Sequence, residues 1–304
     1  MLTYGDVKDA ARRIAGVVRP VTVTAAVPGE VALALEFMQV TGSFKARGAA
    51  NYVAALREGG AMPGAGLITS TGRNADLGFA WAAGRYGVPV TSFLPLAAPP
   101  LKAARLRALG ADVRLVEGDP VEASRAFAAQ SGAVDAYEAD VRLSSAGAGT
   151  LTLEIAEAVS GLDTIVCAVG AGGMFSGITA AADHLGIRVV AVEPEGCQAL
   201  YAALKAGQIV DVPVESVASE SLGSLQVIPD AFAWARQADV RSVLVDDQAI
   251  IGARQALWDE RRLCVEHGSA APLAALASGA YTPSPGEKAA VVLCGGNTNP
   301  ADLA

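Results

Sequence analysis

Apolar residues along the chain fall into short blocks separated by longer amphipathic stretches, the pattern of strands alternating with helices. From residue 67 the series reads strand 67–70 then helix 74–86, strand 90–94 then helix 99–109, and strand 113–116 then helix 120–130. Strands joined through helices cross over in the right-handed sense and run parallel, so this stretch predicts a compact parallel sheet. Gly87-Val88-Pro89 and Leu109-Gly110-Ala111 agree, since each ends a helix just ahead of a strand. A second series starts near 148, with a helix to about 159, strand 164–169, helix 173–185, strand 189–193 and helix 196–206. It resumes with strand 242–245, helices 247–262 and 268–278, and a last strand 289–293. The stretch 207–241 shows no clear period. The first fifty residues, with a helical stretch over 46–57, join the second series. The expected organisation is therefore α/β with two lobes: a large one from 1–63 and 138–304, and a small one from 64–137.

Composition narrows the function classes. With 304 residues, 52% of them hydrophobic, the chain can bury two cores, and its few aromatics suit helices and buried parallel strands. A formal net charge of -8 repels phosphate polymers and anionic lipid, so neither nucleic acid nor a membrane is expected as partner. The first residues lack the basic start and apolar core of a signal peptide, and no stretch has 18 uninterrupted apolar residues. A cytoplasmic protein is expected. Cysteines at 167, 197, 264 and 294 form no CxxC pair, which supports neither a zinc site nor a disulfide framework. Cys167 and Cys264 read as small hydrophobes.

Ligands of such sheets bind where strands end and helices begin, so the chemistry is sought in those loops. The run GAGGMFSG at 170–177 follows an apolar strand and opens a helix. Its glycines let backbone N–H groups approach an anion, and the helix dipole favours negative charge there. It is neither a dinucleotide fingerprint, whose third glycine would fall on Phe175, nor a Walker A loop, because Ile178 stands where lysine should follow. A tight turn with no ligand is its bland alternative. The run TGSFKARGA at 41–49 sets Lys45 among small residues before a helix. A lysine in a confined, partly apolar site is more easily deprotonated, and a neutral amine is what attack on a carbonyl requires.

Together with the Leu293-Cys294-Gly295-Gly296-Asn297 turn and the Ser70-Thr71-Gly72-Arg73-Asn74-Ala75-Asp76 loop, these runs make the sequence resemble the fold-type II pyridoxal-phosphate enzymes. Within them it is most similar to the serine/threonine dehydratase (threonine ammonia-lyase) and serine racemase branch. The match in order and spacing extends from about residue 36 to residue 297. The resemblance implies the two-lobed, tryptophan synthase β-like fold and pyridoxal 5'-phosphate as cofactor, held by Lys45 as a Schiff base. Lys45 would then shuttle the Cα proton, and Phe44 would flank the pyridine ring. Gly170, Ala171, Gly172, Gly173 and Met174 match the phosphate loop, with Ala171 replacing a usual glycine. Cys294 aligns with the residue facing the pyridine nitrogen, and Glu266 with a glutamate near the ring. A neutral group at Cys294 withdraws electrons only moderately, which suits β-elimination.

In the same resemblance the 70–74 loop grips the substrate carboxylate through Ser70, Thr71, Gly72, Arg73 and Asn74, with Asn74 also touching the cofactor's 3′-oxygen. Arg73 and Asp76 depart from the common SSGNH pattern. A carboxylate at 76 repels substrate unless Arg73 neutralises it or binds the substrate itself. Gly147-Ala148-Gly149-Thr150 stands where the family has a turn before a helix. Glu193 matches one ligand of a cation site whose second carboxylate is Ala199 here, so no metal is expected. His184 and His267 read as satisfied surface or loop residues. The expected reaction is conversion of a small β-hydroxy amino acid to a 2-oxo acid and ammonia, by a homodimer without a C-terminal regulatory domain. The alternatives are racemisation, with Thr71 as the second acid or base, β-elimination from another amino acid, and a non-catalytic protein binding the cofactor or an amino acid.

Overall fold

In chain order the first elements of the computed structural model are α1 (Tyr4–Ile14), β1 (Ala32–Ala34) and α2 (Lys45–Glu58). Next come β2 (Leu67–Thr69), α3 (Asn74–Arg85), β3 (Val90–Pro95), α4 (Pro100–Ala108), β4 (Asp112–Val116), α5 (Pro120–Ser131) and β5 (Val134–Asp135). The remainder is α6 (Val141–Ala158), β6 (Thr164–Ala168), α7 (Gly173–Leu185), β7 (Arg188–Pro194), α8 (Ala199–Ala206), α9 (Ser219–Leu222), α10 (Pro229–Gln237), β8 (Val240–Val245), α11 (Asp247–Arg261), α12 (His267–Ala277) and β9 (Ala289–Val292). The structure describes residues 1–24, 31–136 and 141–303.

Two parallel sheets result, one in the order β1-β9-β6-β7-β8 and one in the order β4-β3-β2-β5. Alternation along the first sheet explains its two cores. Ile165, Cys167, Val189 and Ala191 face one side, covered by α1, α6, α7 and α8, while Val166, Ala168, Val190 and Val192 face α11 and α12 on the other. The smaller sheet packs Leu67, Val90 and Leu94 against Phe79 and Ala83 of α3 and Tyr52 of α2. It draws its strands from 67–135, and the larger sheet draws its own from 32–34 and 164–292. The expected division at 137/138 lies outside the described residues.

Most elements start and stop within two residues of expectation, and helix 173–185 matches at both ends. One correction concerns 147–150. This segment is not a turn before a helix: it lies inside α6, which is already helical at Val141. Its glycines are interhelical contacts. A Cβ on Gly147 would stand 2.4 Å from the Arg47 carbonyl oxygen, and one on Gly177 of α7 would stand 2.0 Å from the Ser145 carbonyl oxygen. Backbone oxygen cannot yield as a side-chain tip can. Gly177→Ala is therefore expected to cost about 3 kcal/mol from overpacking, outweighing the gain in helix propensity of about 1 kcal/mol; a thermal melt of this variant should show the net loss. The unperiodic stretch contains α9 and α10, with the Trp234 indole donating to the Leu2 carbonyl at 3.2 Å.

Candidate active site

The carboxyl ends of β2, β6 and β9 converge on one cavity of about 430 Å³. Its wall includes Phe44, Lys45, Gly72, Arg73, Asn74, all of 170–174, Glu266 and Cys294. Ser70 and Thr71 do not line it.

The chain reaches Lys45 along a path fixed by the large sheet. Ser43 forms an antiparallel bridge with Gly295, and the Phe44 N–H donates to the Cys294 carbonyl at 3.0 Å. Lys45 thereby opens α2 beside the end of β9, its Nζ 5.0 Å from the centre of the Phe44 ring. Lys45 is half-buried, but its ammonium end is closely surrounded by protein. Burial lowers its pKa from the usual lysine range and nearby Arg73 adds to the effect, while Cys294 and Asp76 oppose it. The Cys294 thiol is pushed up to about 12 by burial, so it stays neutral near pH 7. Its Sγ lies 3.3 Å from the Ser269 hydroxyl, which donates to the Gly295 carbonyl at 2.8 Å.

On the same cavity, α7 is preceded by Gly172 as its N-cap, at φ +97°, a backbone conformation that disfavours any side chain. A Cβ there would also strike the Ala231 methyl at 2.4 Å. No side chain caps this helix, so its first N–H groups are left for an anion. Beside them the Ser145 hydroxyl is buried without a hydrogen-bond partner among the described residues.

The 70–76 loop is organised around an internal carboxylate. Asp76 is fully buried and accepts from the Thr71 N–H at 3.0 Å, the Gly72 N–H at 2.8 Å and the Thr71 hydroxyl at 2.5 Å. Burial raises its pKa against the lowering effect of these donors. Arg73 forms no ion pair with Asp76, so neutralisation by that route is not how the loop accommodates the acid. Asn74 donates to Glu266 at 2.8 Å and accepts from the Asn297 side chain at 2.8 Å, latching the start of α3 to the large lobe. Burial raises the pKa of Glu266, with Asn74 and the Asn297 N–H pulling the other way.

The family model described as pyridoxal-phosphate dependent enzyme matches residues 17–295. The chain belongs to this family. Among curated relatives, the L-threonine ammonia-lyase of Geobacter sulfurreducens is 34% identical over 269 residues, covering 86% of this chain, which spans 66% of that relative's length. Among solved structures, a threonine deaminase from T.th. superposes with a TM-score of 0.85 at 30% identity, covering 98% of this chain and 99% of that one. Maize serine racemase superposes with a TM-score of 0.89 at 25% identity, covering 99% and 95%.

The residues of this pyridoxal-phosphate dependent chain fit the cofactor that the family implies. An uncapped helix start with a glycine cradle suits a phosphate, a cavity-facing lysine of lowered pKa suits a carbonyl carbon, and the neutral Cys294 thiol suits a ring nitrogen. Ser269 and the cavity-lining Lys102 and Arg105 were not singled out in the sequence reading, because each acts across the fold, and Asn297 entered only as the end of the 293–297 turn, with no role. His267, read there as a loop histidine, stands at the start of α12 on the cavity wall, its pKa lowered mainly by burial. His184 stacks on Tyr4 with ring centres 3.8 Å apart.

Glu193 has a different task in this pyridoxal-phosphate dependent chain. Its buried carboxylate accepts the N–H groups of Leu200 and Tyr201, each at 2.7 Å, at the start of α8. Burial lifts its pKa to about 7. Between the unfolded carboxylate's pKa and pH 7 the folded protein therefore holds more protons, and stability contributed here falls as pH rises through that window. Glu193→Gln should remove this slope, so its melting temperature should gain on that of the wild type between pH 5 and 7.5.

Proposed function

We propose that this chain is a pyridoxal-phosphate dependent serine/threonine dehydratase, converting a small β-hydroxy amino acid to a 2-oxo acid and ammonia. The observation that carries the reading is Lys45, with its lowered pKa, facing the same cavity as a neutral Cys294. The amine of Lys45 removes the proton from the substrate Cα as general base. The cofactor, when bound, supplies an electron sink for the pair left on that carbon. Backbone N–H groups of Gly170, Ala171, Gly172, Gly173 and Met174 would hold its phosphate, and Phe44, Cys294 and Glu266 would face its ring. Because the Cys294 thiol is neutral, it stabilises a charged ring nitrogen less than a carboxylate does, which favours prompt expulsion of the β-hydroxyl.

The large lobe serves as cofactor domain and the small lobe as substrate domain. A homodimer is the corresponding expectation from the resemblance, and the cytoplasm is the compartment we propose for it. Racemisation is the weaker reading, since Thr71, its second acid or base, does not line the cavity and points its hydroxyl proton at Asp76.

The test is to incubate cofactor-loaded protein with L-serine and L-threonine, measuring 2-oxo acid and ammonia and resolving the enantiomers of unreacted serine. Equimolar oxo acid and ammonia are expected. Accumulation of D-serine without oxo acid would establish racemisation instead, and neither product would leave a different substrate or a binding role.

A further inference from the structure

The backbone donors of residues 71–73 are already used, the Arg73 N–H donating to the Thr71 hydroxyl at 3.2 Å. The N–H groups of Thr71 and Gly72 and the Thr71 hydroxyl all donate to Asp76, whose carboxylate is fully buried. A second carboxylate offered to the same donors would meet a like charge and find its hydrogen bonds taken.

Three cations from the small lobe line the cavity, and two have partners. Lys102 pairs with Glu220 at 2.8 Å, and Arg105 donates to the Asn297 side chain at 3.1 Å. The third is Arg73, whose guanidinium has no hydrogen-bond or ion-pair partner among the described residues. It is exposed on the cavity wall, next in sequence to the blocked donors of Thr71 and Gly72, and its charge reaches the Lys45 amine.

We infer that Arg73, and not the backbone of the 70–73 loop, holds the α-carboxylate of the amino-acid substrate. The guanidinium presents a planar pair of N–H donors to a planar carboxylate, a stronger and more directional grip than a single ammonium. Asp76 shapes the loop from within, as the acceptor of its Thr71 and Gly72 donors. The inference rests on the amino-acid chemistry proposed for this cavity and adds the group that recognises the substrate class.

Its test uses cofactor-loaded protein and two non-reacting probes, glycine and glycinamide, which share an amine and differ in the carboxylate. Binding is read from the absorption of the bound cofactor, with no turnover required. In Arg73→Ala, glycine should bind about 10- to 100-fold more weakly, the range for losing charge-assisted hydrogen bonds, with glycinamide unchanged. Arg73→Lys should fall between the two proteins. Undiminished preference for glycine over glycinamide in Arg73→Ala would overturn the inference, as would equal weakening of both probes. If the wild type responds to neither probe, the amino-acid reading itself fails and this inference with it. A normal glycine response without oxo-acid release from serine or threonine defeats only the dehydratase reading and leaves the Arg73 comparison decisive.

Discussion

Lys45→Ala is expected to lower oxo-acid release from L-serine and L-threonine by about 10³-fold or more, the scale of losing a positioned general base. The loss should appear in kcat, because the step removed is the proton transfer itself. Lys45→Arg should be nearly as inactive: arginine keeps the length and charge but cannot deprotonate near neutral pH. Both variants should melt close to the wild type, since Lys45 opens α2 at the cavity wall rather than filling a core. A variant retaining more than about a tenth of wild-type kcat would remove Lys45 from the proton-transfer role.

The second large effect concerns stability, two residues further along the same motif. Arg47 is fully buried and grips Glu36 at 2.7 and 3.0 Å and Glu154 at 2.6 and 2.9 Å, with Thr150 and the Arg19 carbonyl taking further bonds. Glu36 is itself 1% exposed. Arg47→Met fills similar volume but strands Glu36 as an unpaired buried acid, at a cost of about 3–5 kcal/mol. For a chain of this size that is a fall of roughly 10 °C in melting temperature. Burial already raises the Glu36 pKa, and losing the guanidinium raises it further. The folded variant then holds its proton at a pH where the unfolded chain has released it, so the deficit grows as pH rises above the ordinary carboxylate range. Melts at pH 5 and pH 8 should show the smaller deficit at pH 5. Adding Glu36→Leu should recover part of the loss, because a buried pair replaced as a unit costs less than one left broken.

What the sequence made legible was chemistry held in short runs. Lys45 among small residues, and the glycines from 170 to 173 between a strand and a helix, stand out locally, and the structure brings both runs to one cavity, with Gly172 in a left-handed backbone. At Gly147 and Gly149 the resemblance implied a turn, whereas both lie inside α6, where neighbouring helices leave no room for a side chain. Strands β1 and β5, of three and two residues, are too short to show a period. The loop acid was visible as an anomaly, yet its resolution was not, since only coordinates reveal that Asp76 binds its own loop. The Asn74–Asn297 latch joins residues 223 positions apart, beyond the reach of any local pattern.

Because three hydrogen bonds donated to Asp76 tie the 70–73 loop within the chain, its disorder is lost when the protein folds and not when a ligand arrives. The recognition surface is thus rigid beforehand, and capture of a ligand has little left to freeze except the Arg73 side chain. Association at such a surface proceeds as lock-and-key docking with a small entropic penalty, and the loop's backbone amides should be equally protected from hydrogen exchange with and without glycine.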